Sequence, residues 1–238
     1  MGAFSLTLIV LICLAGLGGL YVYLWSVPTL QIFGPAILRG PAEGGWIAVT
    51  FDDGPSSPFT DQILDILRSR NVKATFFVCG QNVERYPEIL RRIQAEGHSI
   101  GNHTYSHPFP YFRSQSSFAC EIDLTQNAIE KVTGQRPSFF RPPFGARWLG
   151  MYPVLQQRGL RLVNWSDTGY DWKFSTDKIV RATLKGLGPG SIILLHDGRR
   201  TYLSGQVDRS NTVKALPAIL DGALGRGLTF VRLTELLE

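Results

Sequence analysis

The chain predicts an α/β fold around a parallel sheet, either open or closed into a barrel. Two observations carry this. From Trp46 onward, apolar runs of strand length alternate with helix-length stretches. Ionisable residues gather just after those runs, where parallel α/β folds carry their sites. With 238 residues, 44% of them hydrophobic, the chain can bury one substantial core, so one soluble domain is expected.

Ahead of that domain, residues 1–38 hold no Asp, Glu, Lys or Arg, and Leu6 to Trp25 is almost wholly apolar. Twenty such residues span about 30 Å as a helix, the hydrocarbon thickness of a bilayer. A cleaved signal peptide needs a basic start, a shorter apolar core and a small-residue cleavage site, none of which is clear. Residues 1–25 therefore read as a single membrane anchor with Tyr21, Tyr23 and Trp25 as its interfacial belt, and a cleaved signal is the lesser alternative. Ile12 before Cys13 is too bulky for lipoprotein processing. Residues 26–45, rich in Gly and Pro, read as a linker to the soluble domain over 46–238.

The first strand is Trp46–Phe51, closed by the turn-forming Asp53-Gly54-Pro55. A helix from about Pro58 to Arg70 follows, with Ile63, Leu64, Ile66 and Leu67 apolar. Strand two is Ala74–Cys79, and the next helix starts near Pro87, a good first-turn residue, ending by Gly97. A short strand at Ser99–Ile100 precedes His103, and a helix over Phe118–Thr133 is stopped by Gly134. Then come a strand at Ser138–Phe140, a helix near Trp148–Arg158, a strand at Leu160–Trp165 and a helix over Thr176–Lys185. The strongest strand, Ser191–Leu195, is followed by a helix near Val213–Leu224, a strand at Leu228–Val231 and a terminal turn.

A net charge of +5 is spread over scattered Lys and Arg, without the clustered stripe a nucleic-acid footprint requires. No GxGxxG follows a strand and no GxxxxGK[ST] is present, so no nucleotide cofactor is expected. Cys13, Cys79 and Cys120 are too few and scattered for a disulfide framework or a CxxC metal site. Cys79 and Cys120 read as packing residues, with a bridge between them left open.

Chemistry is read from the strand ends. Asp52 and Asp53 follow strand one, His103 and His107 the third, Arg141 the fourth, Asp167 and Asp171 the fifth, and His196 and Asp197 the sixth. Two imidazoles four residues apart lie one turn apart if their segment is helical, and together with a carboxylate they form a metal-ligand set that leaves a position open for water. Asp53 or Asp52 can supply that carboxylate, and the other is placed to take a proton from the water. His196 is the remaining candidate acid, and Asp171 could raise its pKa. His98 reads as structural.

Together these residues resemble the polysaccharide deacetylases of carbohydrate esterase family 4, over about Trp46 to Leu237 and in five ordered blocks. Thr50-Phe51-Asp52-Asp53-Gly54-Pro55 is similar to the first motif, which implies Asp52 as general base and Asp53 as metal ligand. His103-Thr104-Tyr105-Ser106-His107 resembles the second and implies two histidine ligands. Arg141-Pro142-Pro143-Phe144-Gly145 resembles the third, implying that Arg141 orients the base and that the Phe144 N–H helps hold the oxyanion. Asp171-Trp172 resembles the end of the fourth, with Asp171 tuning the catalytic histidine and Trp172 walling the groove. Leu194-Leu195-His196 resembles the fifth, with Leu194 against the acetyl methyl and His196 as general acid. The family's fourth motif usually reads Asp-x-x-Asp-Trp, whereas here Asp167 precedes Asp171 by four, so Asp167 is left without a role.

The resemblance implies a distorted (β/α) barrel of about seven parallel strands, here preceded by one transmembrane helix. It also implies a divalent metal, zinc or else cobalt, nickel or iron, held by Asp53, His103 and His107. The expected activity is removal of N-acetyl groups from N-acetylglucosamine in an envelope glycan. Peptidoglycan leads because a membrane-tethered domain outside the cytoplasm faces it. Chitin oligomers, other acetylated polysaccharides and a silent glycan-binding domain are the alternatives.

Overall fold

The computed structural model describes residues 12–20, 23, 31, 34–109, 114–198 and 208–238. Its framework follows from period-two alternation, which sends successive strand side chains to opposite faces. In β1 (Trp46–Asp52), Ile47, Val49 and Phe51 enter a large apolar core, while Ala48 faces a second, smaller one. Thr50 and Asp52 share the face of Ala48. The same split recurs in β2 (Thr75–Val78), where Phe76 and Val78 join the large core and Phe77 the small one. It recurs again in β7 (Ile192–His196), where Ile193 and Leu195 oppose Ile192.

Between them run α1 (Phe59–Ser69), α2 (Gly80–Arg85), α3 (Pro87–Ala95), β3 (Ser99–Asn102), α4 (Gln115–Thr133), β4 (Phe139–Phe140), α5 (Met151–Gln156), β5 (Arg161–Leu162), β6 (Asp167–Thr168) and α6 (Thr176–Lys185). After β7 come α7 (Ser210–Leu224), β8 (Thr229–Phe230) and α8 (Leu233–Leu236). The strand order is β5-β4-β3-β2-β1-β7-β6, with β8 paired to β1 off this path, and every pairing is parallel. This is a distorted barrel whose path holds seven parallel strands, as expected. Helices α1, α3, α6 and α7 cover the outer core, and Leu233 and Leu236 of α8 plug the inner one.

Register sets the level of the site. Asp52 pairs with Phe77 on one side and His196 on the other, and Val78 pairs with Asn102, which pairs with Phe140. The carboxyl ends of β1, β7, β3 and β4 therefore finish at one height.

The structure departs from the sequence reading in several places. α4 starts three residues before Phe118, because Ser114 accepts a hydrogen bond from Ser117 N and caps it. α2, β6 and the last two residues of β3 were not expected; each is short and lacks a periodic apolar run. The helix expected over 148–158 shrinks to 151–156. Asp167 follows β5 as expected but lies in a short strand of its own, β6. Cys79 and Cys120 are both free thiols, and Cys120 is exposed on α4 rather than packed. The expected linker is partly structural. Ile37 N–H donates to Leu162 O, Asn164 N–H donates to Ile37 O, and Gly40 N–H donates to Gly190 O. Residues 37–40 thus strap β5 to the start of β7 across the gap in the sheet. Most of the anchor expected over 1–25 lies outside the described residues, among which no helix is long and apolar enough to cross a membrane.

Candidate active site

The carboxyl ends of β1, β3, β4 and β7, with the β6–α6 loop, enclose a cavity of about 510 Å³ lined by Asp52, Asp53, His103, His107, His196 and aromatic rings. Each polar group is fixed by a neighbour from another element.

Arg141, immediately after β4, has no exposed surface. Its Nη1 donates to Asp52 Oδ1 and to Thr50 Oγ1, both at 2.7 Å. Its Nε and Nη2 reach the carbonyls of Val163 and Asn164, and its guanidinium lies 4.1 Å above the Phe77 ring. A buried charge is expensive unless paired, and this one is paired on every side. The carboxylate of Asp52 is thereby held in one orientation.

Asp53 sits in the turn beyond β1 with a left-handed φ of 74°, and Asn82 Nδ2 holds its carbonyl at 2.7 Å. The segment His103–His107 is not helical. The segment is a loop in which Thr104 and His107 have φ of 68° and 53°. Glu121 of α4 organises it. One carboxylate oxygen accepts from Tyr105 N and Ser106 N at 2.9 and 2.8 Å, and the other accepts from Ser106 Oγ at 2.8 Å. Left-handed backbone at non-glycine residues costs of order 1 kcal/mol each, and these charge-assisted bonds offset it.

The result brings one ligand atom each from Asp53, His103 and His107 within 4.8 Å of one another. His103 Nε2 and His107 Nε2 stand 3.4 and 3.2 Å from Asp53 Oδ1, an oxygen that is buried without an aligned hydrogen bond. The other nitrogen of His103 lies 2.7 Å from the Arg141 carbonyl, which can only accept, so Nδ1 carries the hydrogen. Nε2 of that ring is then the nitrogen that faces the Asp53 carboxylate. Burial alone would raise the Asp53 carboxyl, but His107, His103 and His196 hold it well below the usual range. A proton would satisfy one such pair. A divalent cation satisfies all three ligands together, so the donor set fits a metal.

Opposite stands His196, whose Nδ1 donates to Asp171 Oδ1 at 2.8 Å. Asp171 Oδ2 accepts from His196 N and from Thr212 Oγ1, each at 2.8 Å. Burial pulls the His196 pKa down, yet Asp171 more than offsets this and the imidazole titrates above its usual value. Asp171 is itself held below the usual carboxylate range against the pull of burial, by His196 first and then by Arg209 and Thr212. The Trp172 ring stands edge-on to His196, 5.2 Å between centroids, and Leu194 lines the cavity. Phe144 also lines it, with φ of 62° and its ring 5.0 Å from that of His107.

All ten residues singled out in the sequence therefore meet at one cavity or directly brace a residue that does. His98 is structural as expected: Nδ1 accepts from Ala74 N, and burial lowers its pKa to about 4. Asp167 turns away to Ser166 and Arg39. The sequence reading missed Glu121, Asn82, Thr212 and Arg209, and it placed Asp197 at a strand end without a role. Only Glu121 left a signal, as an acid on the apolar face of α4 between Phe118 and Ile122. Arg209 approaches Asp53 Oδ2 to 3.7 Å. Asp197 is wholly buried, with its pKa pushed up to about 7 by burial despite a 2.6 Å hydrogen bond from Thr60.

Residues 39–163 match the family model described as polysaccharide deacetylase. A peptidoglycan-N-acetylglucosamine deacetylase of Bacillus cereus is 38% identical over 200 residues, 84% of this chain and 70% of that protein. A chitooligosaccharide deacetylase of Azorhizobium caulinodans is 36% identical over 187 residues, covering 76% of this chain and 89% of that one. Among solved structures, the Bc1960 peptidoglycan N-acetylglucosamine deacetylase superposes with a TM-score of 0.78 at 37% identity, over 85% of this chain and 92% of that one.

Proposed function

The chain belongs to the polysaccharide deacetylase family, and from that premise we propose that it hydrolyses N-acetyl groups of N-acetylglucosamine residues in an envelope glycan, peptidoglycan first. The observation that carries the reading is the convergence of Asp53, His103 and His107 beside Asp52 and across from His196. Two imidazole nitrogens and one carboxylate oxygen favour zinc, with cobalt, nickel or iron as alternatives. When bound, such a cation supplies Lewis acidity toward the acetyl carbonyl and lowers the pKa of water.

The chain's own groups do the rest. Asp52 takes the proton of the attacking water, and Arg141 on Oδ1 keeps Oδ2 turned to this task. The Phe144 N–H steadies the charge that develops on the carbonyl oxygen. His196, protonated because Asp171 favours its cation, gives its Nε2 proton to the departing nitrogen. Leu194 and Trp172 shape the space for the acetyl group and its sugar. The products are acetate and a glucosamine amine.

Acetate release from peptidoglycan and from chitin oligomers, with and without a chelator, tests this. Chelator-sensitive release that is faster on peptidoglycan is expected. Faster release from chitin oligomers would reassign the substrate, and no release from either would overturn the reading. The apolar run Leu6–Trp25 supports single-pass anchoring, an envelope-glycan substrate would place the domain outside the cytoplasm, and secretion after cleavage is the alternative. Carbonate-resistant retention of the full chain in membranes is the expected outcome; release into the medium would exclude the anchor.

A further inference from the structure

We propose that Tyr170 is a specificity-determining residue whose ring, beside Trp172, stacks on the sugar next to the one being deacetylated. This rests on the deacetylase reading and extends it from the reacting sugar to its neighbour.

Tyr170 lies in the β6–α6 loop, one residue before the buried Asp171, yet it is 46% exposed and lines the cavity. Its ring centroid is 5.4 Å from that of Trp172 and 5.6 Å from that of Phe174. Trp172 in turn stands 5.2 Å from His196. The rings of His196, Trp172 and Tyr170 thus form one chain of contacts along the cavity wall. A glycan whose acetyl-bearing sugar sits at His196 would bring its next ring toward Tyr170. The carbon-bonded hydrogens on a pyranose face suit an aromatic surface, and exposed rings at a cavity mouth mark such contacts.

The backbone supports a role for this particular side chain. Tyr170 has φ of 50°, in the left-handed region where glycine is the easy choice. The residue before it is a glycine for a different reason: a Cβ at Gly169 would fall 2.7 Å from Thr183 Oγ1 and 2.8 Å from Ile179 Cγ2. At position 170 the chain keeps a bulky aromatic where the dihedral disfavours one, and an outlier of this kind at a site points to function. The stretch Asp167–Trp172 is also one residue longer than the motif it resembles. The left-handed turn lets Asp171 keep its 2.8 Å contacts with His196 while the Tyr170 ring points to the cavity.

The test compares wild type, Tyr170→Gly, which removes the ring and suits the dihedral, and Tyr170→Phe. Each is assayed for kcat/KM on a tetramer of N-acetylglucosamine and on 4-nitrophenyl acetate, an ester too small to reach position 170. The tetramer-to-ester ratio is expected to fall about 10-fold in Tyr170→Gly, through KM, and to return in Tyr170→Phe. An unchanged ratio, or equal losses on both substrates, would overturn the proposal. If wild type releases acetate from neither the tetramer nor peptidoglycan, the deacetylase reading fails by itself, and tetramer binding followed by tryptophan fluorescence decides this inference. Weaker binding by Tyr170→Gly would uphold it; equal binding, or none by wild type, would overturn it.

Discussion

Arg141 carries a full charge with no exposure to water, and that explains why Asp52 can be both buried and oriented. Asp52→Asn keeps the shape but loses the proton acceptor, so turnover is expected to fall by roughly 10²–10⁴ with metal content unchanged, read by acetate release and elemental analysis. Asp171→Asn removes the charge that lifts His196. The imidazolium becomes easier to deprotonate, so the alkaline limb of kcat is expected to move to lower pH in a pH–rate profile. Asp197 is a different case, since its folded pKa is raised to about 7 from 3.8. Between those values the folded state holds a proton that the unfolded state has released, so wild-type stability falls as pH rises through that window. The gap in melting temperature between Asp197→Asn and wild type, both free of metal, should widen from pH 4 to pH 7 and level off above. Asp52, Asp53 and His196 were legible as residues because they end apolar runs. Asp197 was legible as a strand-end residue but its burial was not, because nothing in His196-Asp197 reveals that Thr60, 137 residues away, closes over it.

At the scale of elements, the long apolar strands β1 and β7 and the amphipathic α1 could be read from their period alone. The His103–His107 loop could not. Four-residue spacing suggests a helical turn, but Glu121 pulls Tyr105 N and Ser106 N into a conformation with two left-handed residues. The ligand spacing is thus set by an acid on α4 rather than by helix geometry. Glu121→Gln swaps one acceptor oxygen for a donor, and Glu121→Ala removes the brace. Zinc affinity measured by competition titration is expected to weaken about 10- to 100-fold in Glu121→Ala, as for other residues that hold metal ligands in place. The helical content by circular dichroism should stay the same. A change in helix signal equal to that of heat-denatured protein would assign Glu121 a folding role instead.

Among the described residues the seven-strand path of the sheet does not close on itself, and residues 37–40 cross the opening. The Gly and Pro content that marked 26–45 as linker concealed this, since a strap with two bridge partners has too few apolar residues to show a period. A chain beginning at residue 42 loses three backbone hydrogen bonds of about 1 kcal/mol each, together with the packing of Ile37 on the inner core. Its melting temperature is expected to fall by roughly 5–10 °C relative to a chain beginning at residue 34. Equal melting temperatures would show the strap to be dispensable. The strap also has a mechanical side. Tension arriving from the amino-terminal segment would be resisted at Leu162 and Gly190 before it reached β1, so the turn carrying Asp52 and Asp53 is relieved of that load.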